Sequence, residues 1–141
     1  MFNNGSINYF LGVIMADFYT NPKLLQNGPN YLPAHCDKMC VLLDYTLGDS
    51  WATVNASILD QVAMVSGDFS VAMVGNDCVV TTGLKTSSGA IAAEVSAAVA
   101  LLDTVLQDVL YVAPETGLVD IVLGTPVNYP SLEITWHNVT A

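Results

Sequence analysis

The sequence predicts a mainly β chain, an antiparallel β-sandwich of about seven or eight strands behind a short, irregular or helical N-terminal segment. Three observations predict it. Short apolar runs are separated by turn signals about every 8–12 residues, the spacing of sandwiches and barrels. Several runs alternate apolar and polar residues with period two. No strand pattern alternates with a long helical one, as a parallel α/β sheet would require.

Residues 1–16 read as an N-terminal arm or extension, and residues 17–141 as one sandwich domain. Met1 to Asp17 contains no Lys or Arg, and its apolar run, Tyr9 to Ala16, lacks the flanks of a secretory signal. Met15 opens Met-Ala-Asp-Phe-Tyr-Thr-Asn, which resembles an ordinary protein start. Asn21-Pro22 starts a short helix with Pro at its first position, and Gly28-Pro29 stops it. Tyr31 to Lys38 forms one more short turn around Pro33.

Met39 to Tyr45 is an apolar run suited to a buried strand, and Gly48-Asp49-Ser50 a turn. Trp51 to Val65 fits either a helical spacing (Val54, Ile58, Val62, Val65) or a strand from Ser57. Ser66-Gly67-Asp68 turns the chain, and Phe69, Val71 and Met73 then alternate as a half-buried strand. Gly75-Asn76-Asp77 is a turn, Cys78 to Leu84 a β-branched strand, and Ser87-Ser88-Gly89 a turn. In Ala90 to Leu102, alanine density favours helix, but Val95, Val99 and Leu101 alternate with Glu94, Ser96 and Ala98. A strand from about Ser96 to Leu102 is expected there. Strands follow at Val105–Ala113 and Leu118–Leu123, divided by a turn at Pro114-Glu115-Thr116-Gly117. Gly124-Thr125-Pro126 turns again, and the last strand sets Leu132, Ile134 and Trp136 against Glu133, Thr135 and His137.

Composition narrows the function. Of 141 residues, 52% are hydrophobic and 11% charged, against roughly 25% charged in an average domain. There is no arginine, and Lys23, Lys38 and Lys85 face thirteen acids, a formal charge of −10. Nucleic-acid binding through clustered basic residues and docking on an anionic membrane are therefore not expected. No run approaches the ~18 apolar residues of a membrane helix.

Cys36, Cys40 and Cys78 are odd in number and read as buried free thiols. His35-Cys36-x3-Cys40 is the one metal-like cluster, but a zinc site wants four ligands and only Cys78 and His137 remain. No metal and no cofactor is expected. The sequence has no G-x-S-x-G elbow, phosphate-binding loop or EF-hand loop. Most of the aspartates stand next to turns, where Asp caps its own backbone. Two His, three Lys and no Arg leave little to position anions or move protons, so no enzyme and no catalytic residue is expected. Apolar residues in excess of one small core point to subunit contacts.

Four segments carry a resemblance: Cys40-Val-Leu-Leu-Asp44, Val65-Ser-Gly-Asp-Phe-Ser70, Val99-Ala-Leu-Leu-Asp103 and Val109-Leu-Tyr-Val112, closed by Tyr129-Pro130-Ser-Leu-Glu-Ile-Thr135. Over roughly Asp17 to Trp136 the chain resembles small structural proteins of tailed bacteriophages, among them capsid decoration (cement) proteins. It departs where that pattern carries a Ser-Gly-Arg-Lys segment and this chain has Asn76-Asp-Cys-Val-Val-Thr-Thr82. The resemblance implies a virion component, a capsid decoration protein; made in the host cytoplasm, it is expected to be a homotrimer bound to the major capsid protein. A tail or neck component and a small-ligand or carbohydrate-binding β-domain are the alternatives. Interface cores favour aromatics, so Phe2, Tyr9, Phe10, Phe18 and Tyr19 are the expected anchors.

Overall fold

The computed structural model of the protein describes residues 18–137. The arm therefore lies outside the described residues. Ten strands run β1 (Tyr19–Thr20), β2 (Lys38–Leu42), β3 (Ile58–Ala63), β4 (Phe69–Val74), β5 (Asp77–Thr82), β6 (Lys85–Thr86), β7 (Glu94–Asp103), β8 (Asp108–Ile121), β9 (Asn128–Tyr129) and β10 (Glu133–Trp136). Three short helices accompany them: α1 (Pro22–Asn27), α2 (Tyr31–His35) and α3 (Trp51–Ala56). The strands form a five-stranded sheet β1-β8-β7-β2-β3, a three-stranded sheet β10-β5-β4 and a two-stranded ribbon β6-β9. Every named strand pair is antiparallel.

The five-stranded sheet is buried on both faces, which explains its near-continuous apolar strands. On one face Met39, Val41, Val99 and Leu101 meet Val80 and Ile134 of the three-stranded sheet, with Leu24 and Leu32 of the first two helices. This is the sandwich core. On the other face Cys40, Leu42, Ala98, Ala100 and Leu102 meet Val54 of α3 and Tyr45. Alternation along β2 and β7 sorts the side chains between the two cores. A register shift between Leu101 and Leu102 lets Leu110 and Tyr111 both enter the first core.

Local chemistry sets the element ends. Asn21 caps α1, its Oδ1 accepting the Lys23 N–H at 2.9 Å, while its Nδ2 donates to Val109 O at 3.0 Å. Gly28, at φ 81°, ends that helix. Pro33 lies in the first turn of α2, where its missing N–H has no helical partner to lose. The Ser50 hydroxyl caps α3 by accepting the Thr53 N–H at 3.2 Å.

Several expectations are corrected. The ambiguous segment from Trp51 is a helix and then a strand, α3 followed by β3. The strand expected over Met39–Tyr45 ends at Leu42. The strand expected from Val105 begins at Asp108, because Asp103 Oδ1 accepts the Val105 and Leu106 N–H groups, both at 3.0 Å, and turns the chain first. No turn separates two strands at Pro114-Glu115-Thr116-Gly117. Between Ala98↔Pro114 and Ser96↔Val119, β8 advances five residues while β7 moves two, so the extra residues form a bulge in one long strand. Proline cannot donate to a ladder and is at home at such a bulge. The strand expected to be half-buried, β4, is exposed over all but Phe69.

Candidate functional site

Two features of the surface are built well enough to act. The first is a cleft of about 520 Å³ between α2, the segment after β3 and the β7–β8 turn. Asp103 closes β7 and is buried, held by the two turn N–H groups, and its Oδ2 lies 3.4 Å from His35 Nδ1. The His35 ring stacks on Tyr31, with centroids 4.0 Å apart at 15°. Asp37 ties the same turn from the other side, accepting from the Thr104 N–H at 3.0 Å and its hydroxyl at 2.5 Å. The polar floor is thus committed to holding the turn, and the rim is apolar: Val65, Val105 and Leu106 are all exposed. Among the described residues no hydrogen bond joins His35 to a hydroxyl or thiol.

The three residues of the metal-like motif do not converge. Cys36 enters the sandwich core and Cys40 the core on the opposite face of the sheet, while His35 turns to Asp103. Cys36 donates to Lys38 O at 3.5 Å and Cys40 to Ala100 O at 3.9 Å. Burial pushes both thiols up to about 12. Thiols so placed are neutral near pH 7 and poor nucleophiles. Among the described residues, no group of three or more His, Cys, Asp or Glu side chains is placed to hold a metal ion.

The second feature is the β4–β5 hairpin. Gly75 takes φ 62° at the first position of its two-residue turn and Asn76 does not share the positive φ, the pattern of a II′ turn. Along β4, Val71, Met73 and Val74 are 38%, 65% and 63% exposed, and the strand carries no charged residue and no proline. The acids stand just outside it. Asp68 bonds Lys85 at 3.1 Å and the Val65 N–H at 2.8 Å, and Asp77 lies 3.1 Å from His137. The backbone N–H of Val65, seconded by Lys85, holds the Asp68 carboxyl below its ordinary value.

Of the aromatic anchors, Phe2, Tyr9 and Phe10 lie outside the described residues. Phe18 and Tyr19 sit at the β8 edge of the five-stranded sheet, both half-buried. Phe18 meets Tyr111 edge-on at 5.3 Å on the sandwich core, and Tyr19 lies 6.1 Å from Tyr45 on the other core. The structure thus places these two rings on opposite faces of one sheet rather than in one cluster.

Sequence reasoning missed the His35–Asp103 pair and a buried network at Asp60. Ser87 donates to Asp60 Oδ1 at 2.7 Å and Tyr129 to Asp60 Oδ2 at 2.5 Å. The one available signal was an aspartate inside an apolar strand rather than beside a turn. No protein-family model matches this chain, and neither a curated protein nor a solved structure matches it.

Proposed function

We propose that the chain is a non-enzymatic structural component of a phage particle, a capsid decoration protein that associates with copies of itself and with the major capsid protein. The observation that carries this reading is the exposed, uncharged strand β4 at the edge of the three-stranded sheet. A contiguous exposed apolar surface on a small folded domain marks an interaction site. The segments that resemble phage structural proteins supply the rest, three of them lying on β2, β7 and β8 and the fourth leading into β4. The mechanism is mass action: a protein that binds only the assembled shell draws the equilibrium away from disassembly. The reading expects three copies about a local threefold axis of the shell.

The experiment mixes the full chain with purified DNA-filled heads of a phage whose genome encodes it. Co-sedimentation, together with slower loss of DNA from heated heads, is the expected result. Heads that are neither bound nor stabilised would overturn the reading. A single-chain protein that binds a small ligand saturably in the His35 cleft would replace it with the ligand-binding alternative.

A further inference from the structure

The hairpin fixes which backbone groups of β4 are spoken for. Gly83 N–H donates to Asp68 O at 2.8 Å, and the register then runs from Phe69↔Thr82 to Val74↔Asp77. In an antiparallel ladder, alternate residues exchange hydrogen bonds with one neighbour. Ser70, Ala72 and Val74 therefore bond inward to β5, and Val71 and Met73 turn their N–H and C=O outward. The Phe69 N–H is taken by Ser66 O. Among the described residues, nothing bonds the outward groups of Val71 and Met73.

Other edge strands differ from β4: β10, the opposite edge of the same sheet, has four residues and carries Glu133. The edge strand β1 is two residues long, and the outer side of β3 receives the Ile91 and Ala92 N–H groups on Leu59 O at 2.9 and 3.2 Å. By contrast β4 has six residues, no charge, no proline and no cover among the described residues. Soluble proteins blunt such edges unless the edge is used.

We propose that β4 is the seam of a twofold, antiparallel contact between two copies of this chain. The proposal rests on the reading of the protein as a self-associating structural component and names its contact. A twofold axis through Ala72 sets Val71 of each copy opposite Met73 of the other. The outward N–H and C=O groups of Val71 and Met73 are then satisfied in both copies, and the exposed Val71 and Met73 side chains cover one another across the seam. Charge permits this register. Continued past the strand ends, the register sets Asp68 toward Asn76 and Asp77 toward Gly67, one residue away from a direct pairing of the two acids, and each acid keeps its own partner, Lys85 for Asp68 and His137 for Asp77. An isologous contact closes at two copies, so it is distinct from any threefold contact and would join neighbouring threefold units.

The register has a direct test. Ala72 lies opposite its own copy at a non-hydrogen-bonded position, where Cα atoms come within about 4.5 Å. That is inside the range a disulfide spans. The full chain carrying Ala72→Cys and Cys78→Ser, oxidised mildly with oxidised glutathione, is expected to run at twice the 15.0-kDa chain mass on a non-reducing gel. Val105→Cys with Cys78→Ser, on the apolar rim of the cleft, is expected to stay at single mass. Adding Met73→Lys to the first protein is expected to cut its cross-linked fraction at least tenfold with an unchanged far-ultraviolet circular dichroism spectrum. Absence of the Ala72→Cys band in natively folded protein, or equal cross-linking from Val105→Cys, overturns the seam. Should Ala72→Cys not fold, sedimentation of the unsubstituted chain and of Met73→Lys decides: equal masses overturn the proposal. Head binding by the same proteins separates the claims. Cross-linking without head binding keeps the seam and removes the virion reading, and head binding without cross-linking does the reverse.

Discussion

Asp60 shows what a single side chain is asked to do here. Its carboxylate is buried on β3 and is satisfied by two hydroxyls, those of Ser87 and Tyr129. Burial first, and Asp60 second, push the Tyr129 phenol well above its ordinary range, so it remains a donor at any ordinary pH. Removing one hydrogen-bond partner of a buried polar group leaves the other short of a bond, at a cost of about 1–3 kcal/mol. Tyr129→Phe is therefore expected to lower the unfolding free energy by about that amount, read as a reduced urea midpoint with an unchanged slope. A midpoint within experimental error of the parent would contradict the role given to this bond. The acids also mark the limit of sequence reading at this scale. Asp49, Asp68 and Asp103 hold nearby backbone N–H groups, as their neighbouring turn residues predict. The partners of Asp60 are 27 and 69 residues away, and no local pattern reports them.

At the scale of elements, period and turn chemistry were legible, and irregularities were not. The Ala-rich β7 reads as helix by propensity, yet its small residues are explained by their place. Ala98 and Ala100 face the second core, where β7 lies in the middle of a sheet covered on both sides. A bulge and a turn draw on the same residues, Pro and Gly, so Pro114 to Gly117 suggested a break where β8 continues. Alternation placed Phe69, Val71 and Met73 on a strand but could not show that the facing layer stops short of it. The 3₁₀ turn Ser66–Asp68 that feeds β4 has a pH-dependent brace. The folded Asp68 carboxyl titrates below its unfolded value, so its stabilisation is present above that value, near pH 3.8, and is lost as pH falls through the lower folded one. Asp68→Asn is expected to cost about 1 kcal/mol at pH 7, discounted for its solvent exposure. The gap between the two urea midpoints should narrow steadily as pH falls below 3.8. A gap that stays constant through that fall would assign the effect to shape rather than charge.

For the whole molecule, net charge and apolar surface oppose each other. Two copies at −10 repel, and the strand seam must hold against that repulsion. Raising salt from about 0.1 to 1 M shortens the screening length from roughly 10 to 3 Å. Self-association is therefore expected to tighten with salt, by about threefold or more in sedimentation equilibrium. Weakening with salt would point to a contact made by ion pairs. The central sheet has a further consequence, for the way the chain is made. One side of β2 is completed by β7, through pairs such as Cys40↔Ala100, and β8 follows later still. At about 5–20 residues per second, a ribosome needs roughly 3–12 s to supply that neighbour. Through that interval Met39 to Leu42 waits with one margin unmatched, and shorter nascent chains hold no complete native layer. Premature termination before about residue 100 would release sticky fragments that call on chaperones, so quality control falls most heavily on the first two-thirds of synthesis.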